Sequence, residues 1–132
     1  MEQFMGKWKL IESENFDEYM KEVGVSFASR QIANMVKPDL LFSTDDQGLI
    51  SMKSTTTFKT AEITFRLDEE FDETTPDDRQ AKTVMSLIDG KLIQTQKWDG
   101  KCTTIEREIQ EGKLIVKCIM NKVESKRTYE RS

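Results

Sequence analysis

Apolar and polar residues alternate with a period of two along most of this chain, and with a period near 3.6 in one early stretch. Gly6-Lys7-Trp8-Lys9-Leu10-Ile11 opens a first strand with Trp8 and Leu10 on one face. The period then lengthens. Phe16, Tyr19, Met20 and Val23 fall at i, i+3, i+4 and i+7, one apolar face of a short helix. Asn15 reads as its N-cap with Glu18 as capping-box partner, and Gly24 as its stop. Ser26 opens a second helix with Ala28, Ile32, Ala33, Met35 and Val36 inward, ended by Pro38. Two such short helices carry too little apolar surface to stand alone, so they must rest on something larger.

From Asp39 onward the period of two returns. Leu40–Thr44, Leu49–Thr57, Phe58–Leu67, Phe71–Thr74 and Gln80–Ile88 read as successive strands. Asp45-Asp46-Gln47-Gly48 and Pro76-Asp77-Asp78 read as turns between them. Further turn signals stand at Asp89-Gly90, Asp99-Gly100, Glu111-Gly112 and Asn121-Lys122. Asp-Gly favours a two-residue hairpin because both positions need positive φ. The pattern predicts roughly ten strands after the helix pair, each antiparallel to the next, in a sheet whose closure removes its edges. The expected fold is all-β: a ten-stranded antiparallel up-and-down β-barrel, one domain over residues 1–132, capped by a helix-turn-helix portal.

Two late strands break the apolar rule of an inward face. In Thr103–Ile109, alternation groups Ile105, Arg107 and Ile109. In Val123–Glu130 it groups Val123, Ser125, Arg127 and Tyr129. Between them, Leu114, Val116, Cys118 and Met120 share a face. An unpaired buried charge costs several kcal/mol, so ordered water, an acid from elsewhere or an anionic ligand must meet the arginines. A guanidinium is a planar fork suited to a carboxylate, and the Tyr129 hydroxyl adds a donor. Ser54 and Thr56 join these residues, with Met52, Ile105 and Val116, as inward candidates. The mixture suits a wet cavity with an apolar wall and a polar end. On pattern alone, arginines pairing with acids across the barrel explain the same residues.

Composition narrows the chemistry. The net charge of −4 is made of mixed signs along the chain, so no nucleic-acid partner is expected. Histidine is absent, which removes histidine-based triads and the usual zinc ligand. No enzyme activity, metal or cofactor is expected. Cys102 and Cys118 match no metal spacing and read as free thiols. Met1–Lys7 holds no apolar signal core, and no apolar run nears the ~18 residues that span a bilayer. These features predict a cytoplasmic protein.

The same residues carry a family likeness. Gly6-x-Trp8-x-Leu10-x4-Asn15-Phe16-Asp17-x-Tyr19-Met20-x2-Val23 resembles the signature of intracellular lipid-binding proteins, the fatty-acid-binding protein family. Trp98-Asp99-Gly100-Lys101-x-Thr103-Thr104-Ile105-x-Arg107 and Arg127-x-Tyr129-Glu130 resemble that family's later strands. The likeness covers essentially the whole chain, and is greatest to the heart, adipocyte, brain and myelin subgroup, nearest its adipocyte branch. It implies a carrier of long-chain fatty acids such as oleate or palmitate, monomeric, with the carboxylate held by Arg107, Arg127 and Tyr129. It implies cavity-wall roles for Phe16, Tyr19, Met20, Val25, Ala33, Pro38, Met52, Ile105, Val116 and Cys118. Phe58 would gate the portal, near Asp77 and Arg79. Lys21, Arg30 and Lys37 could touch anionic membranes during ligand transfer.

Some positions depart from the family pattern. The Asp45–Gly48 loop is one residue longer, and Pro76 replaces a small residue at the rim. Val36 is bulkier than usual at the end of the second helix. Lys21 and Arg30 match a basic cluster tied to nuclear import, but Gln31 replaces one of its members. Within the family, a retinoic acid carrier and a membrane-stacking protein are the other expectations. The net negative charge argues against the second.

Overall fold

A computed structural model describes residues 1–132. One strand precedes the helices and nine follow. The elements are β1 (Gly6–Glu14), α1 (Phe16–Val23), α2 (Phe27–Met35), β2 (Asp39–Thr44), β3 (Ile50–Thr55), β4 (Thr60–Phe65), β5 (Phe71–Thr74), β6 (Gln80–Ile88), β7 (Lys91–Trp98), β8 (Lys101–Gln110), β9 (Lys113–Met120) and β10 (Val123–Arg131). All pairings are antiparallel, in the order β4-β3-β2-β1-β10-β9-β8-β7-β6-β5. The sheet is therefore an up-and-down barrel closed between its first and last strands by β1 and β10. It stays unpaired at β4 and β5. Phe65 of β4 stacks on Phe71 of β5 across that seam, centroids 6.0 Å apart.

The turns explain the meander. Asp89, Asp99 and Glu111 take φ of 52°, 46° and 52°, and the glycine after each is also positive, the twist that a two-residue hairpin demands. At the fourth turn Asn121 alone enters this region, at 54°.

Corrections arise where helix signals met the barrel. Asn15 caps nothing with its side chain. It sits left-handed at φ 61°, and its Nδ2 donates to the Glu124 carbonyl, 3.0 Å away. The turn into α1 is thus tied to β10 rather than to its own helix. Ser26 does cap α2, its Oγ accepting from the Ser29 amide. Only part of the inward face expected for α2 is inward: Ala33 is half-buried and packs on the core and Val36 is half-buried, but Ala28, Ile32 and Met35 are exposed and no residue of α2 is fully buried. Among the elements, α2 packs on α1, so its apolar side has little to cover it. The strands around Phe58 are also shorter than expected. Phe58 lies in the β3–β4 turn, where Thr56 Oγ1 accepts from the Phe58 and Lys59 amides.

The core is one cluster of 19 buried residues drawn from α1 and most of the strands. Trp8 and Phe4 are fully buried, and the Trp8 indole donates to the Phe4 carbonyl at 2.9 Å. Arg131 lies over the Trp8 ring and donates to the carbonyls of Met5 and Gln3.

Candidate functional site

Strand register sets the site. Arg107 on β8 faces Val116 on β9, and Val116 faces Arg127 on β10. The two arginines therefore share a row, separated by one strand, about 10 Å apart at the backbone. Tyr129 is two residues beyond Arg127 on the same face. All three are buried, as the alternation predicts.

The arginines have different surroundings. Arg107 donates from Nη2 to Gln94 Oε1 at 2.8 Å. Its Nε and Nη1 are buried and have no partner within the protein. Burial pulls its guanidinium below the ordinary arginine range, an effect countered by Cys118, Tyr129, Glu73 and Tyr19. Arg127 donates from Nη1 to Ser13 Oγ at 2.9 Å, and its Cζ lies 3.8 Å from the centre of the Phe16 ring. A bulge in β1 between Leu10 and Glu12 brings Ser13 into register with Arg127. Neither arginine forms an ion pair. A half-open pocket of about 190 Å³ lies beside Arg127, between β1 and the end of α2, bordered by Glu12, Ser13, Ala33, Asn34 and Lys37.

An acid does come from elsewhere. Glu73 of β5 is buried, and its Oε1 accepts from Thr83 Oγ1 (2.8 Å), Gln94 Nε2 (2.9 Å) and Gln96 Nε2 (3.0 Å). Gln94 therefore bridges Glu73 and Arg107. None of Glu73, Thr83, Gln94, Gln96 or Ser13 was singled out by the sequence pattern, and Thr103 stood out only as a position of the family motif. The available signal was the strict alternation Leu92, Gln94, Gln96, Trp98, whose members are all buried.

The expected wall residues divide by depth. Tyr19, Met20, Val116 and Cys118 are buried; Phe16, Val25, Ala33, Met52 and Ile105 are half-buried and pack on the core; Pro38 is buried ahead of β2. Tyr19 Oη and Thr103 Oγ1 are 2.7 Å apart, and burial pushes the Tyr19 phenol up to about 12. Burial likewise pushes the Cys118 thiol up to about 11 against the pull of Arg127 and Arg107. Cys102 is exposed and both thiols are free.

Phe58, Asp77 and Arg79 make no hydrogen bond to Arg107 or Arg127, but Arg79 Nη1 donates to Gln96 Oε1 at 3.4 Å and so adjoins the Glu73 network. Phe58 is 63 % exposed. Lys59 beside it donates to the Pro76 carbonyl at 2.9 Å, joining the Phe58 turn to the Asp77–Arg79 turn. Arg79 Nε donates to Asp77 Oδ2 at 2.7 Å, and its guanidinium lies 4.3 Å from the Trp98 ring. Burial raises the Asp77 carboxyl, but bonds from Arg79 and Thr75 outweigh it and hold the group below its ordinary value. Of the basic residues on and just after the helices, Lys21 and Arg30 both pair with Asp17, while Lys37, beyond α2, is exposed.

A model of the lipocalin / cytosolic fatty-acid binding protein family matches residues 5–132. The chain belongs to that family. An adipocyte fatty acid-binding protein of Pygoscelis papua is 53 % identical over 131 residues, 99 % of this chain and 98 % of the relative. The crystal structure of fatty-acid-binding protein 1 of Echinococcus granulosus superposes with a TM-score of 0.97 at 37 % identity, covering 99 % of this chain and 98 % of the other. A Schistosoma mansoni fatty acid binding protein in complex with arachidonic acid gives 0.95 at 41 %, covering 100 % and 98 %. The lipocalin / cytosolic fatty-acid binding protein fold thus accounts for every strand above, and these relatives are named as binding proteins rather than enzymes. No helix is long and apolar enough to cross a membrane.

Proposed function

We propose that this chain carries long-chain fatty acids in the barrel interior, with the carboxylate seated between Arg107, Arg127 and Tyr129. The observation that carries the reading is the pair of buried, unpartnered donors on Arg107. Such donors cost free energy unless an acceptor meets them, and a carboxylate is the acceptor that a guanidinium fork fits. Relatives named as fatty acid-binding proteins, one in complex with arachidonic acid, support the choice of ligand class. Residues 1–132 act as one binding unit, monomeric and cytoplasmic.

Affinity comes from the tail. Each buried methylene contributes about 0.8 kcal/mol. Some 12 to 15 methylenes give on the order of 10 kcal/mol before association costs are subtracted. The wall for that tail is Phe16, Tyr19, Met20, Val25, Ala33, Pro38, Met52, Ile105, Val116 and Cys118. Entry passes Phe58 and the Asp77–Arg79 turn. The exposed Phe27 and Met35 of α2, with Lys37 nearby in sequence, supply a transient contact with anionic membrane.

Native mass spectrometry of delipidated protein titrated with oleate tests the reading. One oleate per chain is expected, displaced poorly by retinoic acid. Absence of a saturable complex would refute the carrier reading, and displacement by equimolar retinoic acid would shift it to a retinoid carrier. Thiol labelling gives a second check. Cys102 should react at once, whereas Cys118 should react slowly and more slowly still with oleate present. Equal Cys118 rates with and without oleate would remove that residue from the wall.

A further inference from the structure

Three charged side chains are buried in this protein: Arg107, Arg127 and Glu73. Two are positive and one is negative, so the interior carries one net positive charge. The half-buried Asp77 and Arg79 cancel each other as an ion pair. Cys118 and Tyr19 are neutral near pH 8, since burial pushes both well above it. Glu73 also fixes geometry. Three donors from β6 and β7 converge on its Oε1, which is the setting of a carboxylate. By accepting from the Gln94 amide nitrogen, it turns the Gln94 oxygen toward Arg107 Nη2. That leaves Arg107 Nε and Nη1 as the free donors.

We propose that Glu73 determines head-group specificity: it holds the interior at a charge that one monoanion neutralises, so the cavity discriminates against dianionic heads. This rests on the carrier reading above. A monoanion brings the buried charges to zero, whereas a dianion leaves one uncompensated negative charge beside Glu73, which a low-dielectric interior disfavours. Removing the Glu73 charge reverses that balance.

Three amphiphiles built on sixteen-carbon chains read the effect at pH 8: hexadecanoate, hexadecyl methyl phosphate and hexadecyl phosphate. The first two are monoanions, and the last is a dianion because phosphate monoesters lose their second proton near pH 6. Wild-type protein should bind the methyl diester about tenfold or more tighter than the dianion. In Glu73→Gln, nearly the same shape without the charge, that ratio should fall about tenfold. A merely structural role would weaken all three ligands together and leave the ratio unmoved. An unchanged ratio, or failure of the variant to take up hexadecyl phosphate, overturns the inference. Should Glu73→Gln not fold by circular dichroism, the wild-type ratio decides: equal or reversed affinities overturn it. Wild-type protein that fails to bind hexadecanoate sinks the carrier reading itself, whereas hexadecanoate binding with an unmoved ratio sinks this inference alone.

Discussion

Arg127→Gln weakens oleate binding by about ten- to a hundredfold, the expected loss of one charge-assisted contact of roughly 1.5–3 kcal/mol. The substitution also releases Ser13 and uncovers the Phe16 ring, on which the guanidinium now lies. Phe58→Ala should cost far less at equilibrium, within about threefold, because truncating a side chain already in water removes little burial. Isothermal titration of both variants against oleate makes the comparison. Equal losses, or an unaffected Arg127→Gln, would count against Arg127 as the anchor.

Trp8→Ala is expected to be the most damaging single change to stability. The ring is fully buried, donates to the Phe4 carbonyl and lies under Arg131. Large aromatic truncations in a core cost about 3–5 kcal/mol. For a chain of this size that corresponds to a fall in Tm on the order of 10–20 °C. The Phe4 carbonyl and the Arg131 guanidinium lose a partner at the same moment, so the segment Glu2–Phe4 ahead of β1 should loosen as well. Thermal denaturation followed by far-UV circular dichroism checks this. A loss below about 1 kcal/mol would show that the Trp8 site collapses around the missing ring.

Much of the barrel was legible because strand alternation and hairpin chemistry are local. Arg107 and Arg127 stood out because a charge interrupts an otherwise apolar face. Glu73 did not. It sits on a four-residue strand just after Asp68-Glu69-Glu70, where one more acid reads as a solvated charge. Its burial depends on Gln94 and Gln96, which only the register of β7 brings to it. The α2 error has the opposite origin. Ile32 and Met35 look inward because helix periodicity reports amphipathicity, not whether a partner surface exists. Asn15 misled for a third reason: its side chain found a carbonyl 109 positions away, beyond the reach of any local rule.

The seam between β4 and β5 has a mechanical consequence. The girth of the wall is not locked by a continuous ring of amide–carbonyl bonds, because one junction is held by the Phe65–Phe71 stack instead. Aromatic faces slide over one another without breaking any bond. The wall therefore has one line along which it can give without losing a backbone bond, while β8, β9 and β10, where the arginines sit, are tied into the continuous ladder.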